Sequence, residues 1–255
     1  MSVGLQKANF WKRVSAFLFD FIFVVTIAVG LAAVLSLVFG YTNHSAKLNE
    51  YYLEYEQQFK IDLDITEEAF NALSAAQQEA YRTASQLFSQ DQRVLNVYYT
   101  MFYLSLAIAA ISILISVLVV YFFVPLFFKN GQTLGKKIFG LAVMRTNCVK
   151  ISNFVLFART VFGLYTIEIM VPVLLITMIY FNVLGIVGTI TIGLLLILEI
   201  VVMCITQTNS SIHDLLADTV VVDMASQRIF DTEEELIAYK QEQHELEVAQ
   251  TKEEN

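Results

Sequence analysis

Three long apolar stretches interrupt an otherwise mixed chain. From Val14 to Phe39 the only charge is Asp20. From Asn96 to Phe128 there is none. From Thr160 to Thr206 there are only Glu168 and Glu199. An α-helix rises about 1.5 Å per residue, so roughly 20 apolar residues cross the ~30 Å hydrocarbon core of a bilayer. The first two stretches therefore read as one span each. The third holds 47 residues, enough for a helical hairpin, and Asn182 followed by Gly185 marks its turn. The pattern predicts an all-α membrane protein with four transmembrane helices, over about 14–40, 98–127, 160–181 and 184–206. The first run is longer than the 7–15 residues of a signal-peptide core and carries an acid, so it reads as a retained helix.

Lysine and arginine set the orientation. Lys7, Lys12 and Arg13 precede the first span. Lys129, Lys136, Lys137, Arg145, Lys150 and Arg159 lie between the second and third, with no acid among them. The intervening segment 41–95 carries four basic residues against nine acids. Both termini and the 129–159 loop are thus expected in the cytoplasm of a prokaryote, with 41–95 outside the plasma membrane. Trp11, Tyr41, Tyr98, Tyr99 and Tyr180 fall at the expected interfaces. Within 41–95, Tyr51, Tyr52, Tyr55 and Phe59 recur at helical spacing, and Ser74 with Gln77 forms a capping-box pattern. This segment reads either as a small helical insert or as a solvated, partly ordered loop. The membrane domain is expected over 1–223. An acidic tail follows over 224–255, where Thr232 and Glu235 again suggest a capped helix.

Composition sharpens this picture. Hydrophobic residues make up 56% and charged residues 16% of the 255 positions, which excludes a disordered chain. The net charge of −8 argues against a nucleic-acid partner. Two prolines and ten glycines suit long helices better than a turn-rich β fold. Cys148 and Cys204 match no metal or redox spacing, and His44, His213 and His244 are scattered. No nucleophile elbow or metalloprotease motif occurs, so no enzyme, cofactor or metal site is expected.

Carboxylates in hydrocarbon are costly, and each needs a reason. Asp20 lies seven residues beyond Arg13, about 10 Å along a helix; Glu168 lies nine beyond Arg159, about 13–14 Å; Glu199 lies eight before Gln207, about 12 Å. All three are at similar depth on different helices. If they converge, they form a site for a monovalent cation or a proton. If each instead pairs with Arg13, Arg159 or a backbone group, they lock the helices together. Small residues recur every four positions around Asp20 (Ala28, Ala32, Ser36, Gly40), at Ser105, Ala109, Ser112 and Ser116, and at Gly185, Thr189 and Gly193. Such rows mark packing seams or the faces of a homo-oligomer.

The loop segment GQTLGKKIFGLAV, Gly131 to Val143, has a superficial look of a phosphate loop. Its spacing before Lys136 is one residue short, and no Ser or Thr follows the lysine. Nucleotide binding is rejected. After the fourth span, Asp214 is expected to pair with one of Arg13, Lys136, Lys137 or Arg159. The β-rich runs Ala142–Met144 and Thr219–Asp223 are expected to pair as a short sheet.

Three motifs in order carry a resemblance: FWKRVSAFLFD at 10–20, GQTLGKKIFGLAV at 131–143 with Arg159 downstream, and IHDLLADTVVVD at 212–223. Together they resemble the RDD family of bacterial and archaeal membrane proteins, named for one arginine and two aspartates. The matching positions here are Arg13, Asp20 and Asp214, with Gly131, Gly135, Lys136 and His213 in the accompanying motifs. The resemblance does not extend to the 41–95 insert or the tail, and Glu168 and Glu199 match none of its motifs. It implies a transport role, cation/proton antiport being proposed for some members.

Two functional readings follow. One is a small cation/proton transporter, or a transporter subunit, using Asp20, Glu168 and Glu199. The other is a non-transporting scaffold that holds partners through its insert and tail. Cysteine mapping checks the shared topology. With Cys148 and Cys204 replaced by serine, Glu50→Cys reacts with a membrane-impermeant maleimide in intact cells. Lys252→Cys reacts only after permeabilisation.

Overall fold

The computed structural model describes residues 8–206 and 208–253; Lys7 and Gln207 lie outside them. In chain order the elements are α1 (Phe10–Val38), α2 (Tyr41–Phe59), α3 (Glu67–Ala72), α4 (Ala75–Gln90), α5 (Gln92–Phe127), α6 (Leu134–Ile138), β1 (Leu141–Arg145), α7 (Asn153–Tyr180), α8 (Gly185–Ile205), α9 (Ile212–Leu216), β2 (Thr219–Asp223) and α10 (Glu233–Glu253). Among the described residues, four helices are long and apolar enough to cross a membrane: α1, α5, α7 and α8. The protein is an all-α membrane protein with one small two-stranded sheet. Asn182 (φ 56°) and Gly185 (φ 51°) turn the chain between α7 and α8, in the left-handed conformation that Asn and Gly tolerate.

The chain divides into two compact units, Ala28–Ser112 and the remainder, with the boundaries inside α1 and α5. In the 28–112 unit the insert is helical. Ser74 and Gln77 form the reciprocal capping box that opens α4. Aromatics join α2 to α4: the Phe88 ring lies 4.3 Å from Tyr52 and 5.4 Å from Tyr55. The chain breaks at Asp91 (ψ 119°) rather than running from α4 into α5 as one helix. Asp91 accepts hydrogen bonds from the Tyr55 hydroxyl and the Arg93 guanidinium, and Arg93 also bridges to Glu54 at 3.1 Å.

In the other unit the sheet has two dry faces. β1 and β2 pair antiparallel, with Leu141 opposite Asp223 and Arg145 opposite Thr219. Side chains alternate across a strand. Ala142, Met144, Val220 and Val222 face Cys148, Val149, Phe230 and Leu236, the last from the tail helix. Leu141, Val143 and Val221 face Ala16 of α1, Leu156 of α7 and Ile151. A strand buried on both sides needs a continuous apolar run, which explains Val220–Val222. A second cluster joins α1, α5 and α7 through Val24, Val117, Val120, Tyr121 and Leu164.

Two of the long helices are not α-helical throughout. Val119–Phe123 and Arg159–Met170 are π-helical, and each is followed within two residues by one of the chain's two prolines, Pro125 and Pro172. A proline inside a helix clashes with the carbonyl four residues back and offers it no N–H. The wider π turn accommodates both defects. On α8, Gly193 has open space around it, whereas a Cβ on Gly188 would come within 2.6 Å of Ile179. The close α7–α8 contact therefore uses Gly188, not the Gly185–Gly193 row.

Phe230 is fully buried against the sheet and 5.4 Å from the Tyr239 ring. Phe230→Ala is expected to cost about 3–5 kcal/mol. The measurement is faster hydrogen exchange at the Val220–Val222 amides with overall helical content unchanged.

Candidate functional site

The site is built around a fully buried carboxylate. Ser211-x-x-Asp214 opens α9 in the manner of a capping box, in which the third helical residue reaches back to the cap. The Asp214 carboxylate accepts from the Ser211 hydroxyl at 3.0 Å and from the Ser211 N–H at 3.4 Å. Local sequence thus aims Asp214 toward its own helix start. Two arginines from distant elements meet it there. Arg13 of α1 donates at 2.8 Å to one carboxylate oxygen and at 2.9 Å to the Thr208 carbonyl. Arg159 of α7 donates at 3.0 and 2.6 Å to the other. Burial alone would raise the Asp214 pKa. The positive charges of Arg159 and Arg13 outweigh it and hold the group well below the usual carboxylate range.

His213 extends this network. Its ring Nε2 lies 2.7 Å from Arg159, and its Nδ1 lies 2.7 and 2.8 Å from the two oxygens of Glu168. A guanidinium can only donate, so Nε2 accepts and the ring proton sits on Nδ1, pointing at Glu168. Glu168 also accepts from the His213 backbone N–H at 2.8 Å. Glu199 of α8 faces the backbone N–H of Ile212. The first backbone N–H groups of α9 have no intrahelical acceptors; Glu168 accepts from one of them, and Glu199 faces another. A Cβ at Gly163 would lie 2.6 Å from the His213 Cβ, so α7 approaches α9 only because that residue is glycine.

The π-helical stretch makes the Glu168 contact compatible with the Arg159 contact. In an α-helix at 3.6 residues per turn, nine residues are two and a half turns, which puts 159 and 168 on opposite faces. With i→i+5 bonding, nine residues make about two turns, which returns both to the α9 side.

Asp20 is held elsewhere. It is fully buried and accepts from the Thr133 hydroxyl and, at 2.8 Å, from the Gly135 N–H. Thr133 is the N-cap of α6 and in turn accepts from the Lys136 N–H. At Gly135 a Cβ would overlap the Ala16 carbonyl. Gly131 sits at φ 61° with Val143 and Ile151 closely packed around it. Lys136 is buried, with its ammonium 5.2 Å from the centre of the Tyr121 ring. Burial, reinforced by Arg159, pushes its pKa down to about 8.

The ten residues singled out from the sequence therefore fall into two linked groups. Arg13, Arg159, His213, Asp214, Glu168 and Glu199 surround α9. Asp20, Gly131, Gly135 and Lys136 belong to the loop and α6. The three intramembrane carboxylates do not converge on one point, because Asp20 is taken up by Thr133 and Gly135. Ser211, Thr133, Tyr121 and Gly163 were not singled out as site residues. The S-x-x-D spacing and the Thr before a short helix were legible signals for the first two. Pro172 signals the break in helical phase.

The RDD family profile matches residues 7–218. The chain belongs to the RDD family. The matched region contains Arg13, Asp20 and Asp214 and ends just before β2, leaving the tail helix outside. No curated protein and no solved structure matches this RDD chain.

Asp214→Asn leaves two buried guanidiniums without their anion, at an expected cost of about 3–5 kcal/mol. A folded-state pKa below the unfolded ~3.9 means this stabilisation is complete above about pH 4 and is lost as pH falls through the folded value. Thermal unfolding in detergent checks both points. The variant melts lower at pH 7, and its midpoint drops less than that of wild type on acidification below pH 4.

Proposed function

We propose that this RDD protein is a non-transporting membrane scaffold or accessory protein. Its buried charges hold the sheet-and-tail module onto the membrane helices, and its helical insert and acidic tail carry the partner contacts. The observation that supports this reading is the placement of the intramembrane carboxylates against protein donors. Asp20 is taken by Thr133 and Gly135 and Glu168 by His213, while Glu199 faces the Ile212 N–H. A permeation site needs an acid that can exchange its partner for water or an ion. These acids instead satisfy backbone donors that would otherwise be orphaned in a buried helix end.

In this reading the membrane is the prokaryotic plasma membrane, with the basic 129–159 loop and both termini in the cytoplasm. No enzymatic step is part of it. A homo-oligomer fits the open faces of α1 and α8 around Gly30 and Gly193.

One arrangement favours the transport reading as the second. Glu168, His213 and Glu199 place two carboxylates and an imidazole at one helix start, and such groups relay protons in membrane carriers. Proteoliposomes with an entrapped pH dye separate the two. The scaffold reading expects no proton flux on addition of Na⁺, K⁺ or Li⁺ to folded wild type. Cation-dependent flux that is lost in Glu168→Gln and Glu199→Gln would overturn it and establish transport.

A further inference from the structure

Among the described residues, the charge network leaves Lys136 without an ion pair. Lys136 is nine-tenths buried, yet among the described residues no oxygen lies within hydrogen-bond distance of its ammonium; only the Tyr121 ring faces it. The nearby guanidiniums of Arg13 and Arg159 share the carboxylate of Asp214. Asp20, the other nearby carboxylate, is turned to Thr133 and Gly135. An ammonium that keeps only a small opening to water, with no hydrogen-bonding anion beside it, is poorly satisfied. A ring face at 5.2 Å recovers only about 0.5–2 kcal/mol. Three N–H donors remain open.

The position of α6 says what is at hand to fill them. Gly135 packs on the Ala16 carbonyl, and Ala16 is five residues, about 7–8 Å, from Trp11 along α1. Trp11 is exposed, as an interfacial anchor is. Two residues on from Lys136 is the exposed Ile138, and the exposed Phe127 ends α5. Lys137 lies with its ammonium 3.9 Å over the Phe128 ring. Lys136 thus sits at the depth of lipid phosphates, beside apolar side chains suited to the acyl boundary and beside a second cation.

We propose that Lys136 is the centre of a phosphate-binding site, taking the oxyanion of a phospholipid headgroup or of free phosphate. The ammonium donates to the phosphate oxygens, Lys137 adds charge at the rim, and Phe127 and Ile138 receive the acyl chains when the source is a lipid.

The test uses the delipidated full-length protein in neutral detergent, with phosphatidylglycerol, phosphatidylcholine and sodium phosphate as probes. Competitive acetylation read by mass spectrometry reports each lysine separately in wild type. Phosphatidylglycerol is expected to slow acetylation of Lys136 about tenfold, the equivalent of one charge-assisted hydrogen bond, while Lys150 is unaffected. Phosphatidylcholine, whose headgroup carries its own cation, has a smaller effect. Protection by sodium phosphate alone assigns the site to the free anion; protection by phosphatidylglycerol alone assigns it to lipid. Lys136→Met keeps the buried stem and removes the donors. It is expected to lose about tenfold in phosphatidylglycerol retention by native mass spectrometry, with Lys150→Gln unchanged. Lys136 acetylation that no probe alters, or that phosphatidylcholine slows as much as phosphatidylglycerol, overturns the proposal. The wild-type arm decides even where the methionine variant does not fold.

Discussion

A single carboxylate removed from water holds this protein to its arrangement. Asp214 is buried with two guanidiniums on it, one from α1 and one from α7. A charge in that position is tolerable only while its partners stay in place, and removing either partner costs several kcal/mol. The constraint is mutual. Arg13 near the start of the first span, Arg159 in the π-helical part of the third, and the short helix after the fourth must come together for any of them to be buried. Residues 201 positions apart in sequence are thereby fixed at one point. The apolar faces of α1, α5 and α7 pack well, but hydrophobic side chains alone set no register in lipid, where the tails are as apolar as the helices.

The same solution recurs around this point. Short helices α6 and α9 both begin beside membrane helices, and carboxylates from those helices accept from their N-terminal donors. Asp20 does this for Gly135 and Glu168 for His213, and Glu199 faces the Ile212 N–H. An acid in a membrane helix and an unsatisfied amide at a helix start each carry a penalty. Joining them removes both. Glycine is needed where the elements touch, at 135 against the Ala16 carbonyl and at 163 against His213. The sheet then fills the space between the helix ends and the tail, with α1 and α7 on one face and Phe230 and Leu236 on the other.

Much of this was legible along the chain. Hydropathy placed the four spans, because crossing hydrocarbon is a demand that each segment meets by itself. The capping residues Ser74, Gln77 and Thr232 and the turn at Asn182–Gly185 were read from local chemistry and lie where expected, though Glu235 accepts from the Asp231 N–H rather than from its own cap. The pairing of Ala142–Met144 with Thr219–Asp223, and that of Asp214 with a base, also followed from residues that had no other way to be satisfied.

Tertiary structure decided which partner each charge takes and which face it uses. Equal depth suggested that Asp20, Glu168 and Glu199 meet. Depth is set by distance along a helix, whereas contact also depends on rotation about it, and the π turns before Pro172 shift that rotation within α7. Asp20 faces Thr133 and Gly135 because α6 arrives there from more than 110 residues away. Arg13 and Arg159 share Asp214 while Lys136 faces only the Tyr121 ring, an outcome of geometry alone. Hydrophobicity and capping are settled within a turn or two of chain and so belong to the sequence. The pairing of buried charges is settled between distant segments, and only the fold brings those together.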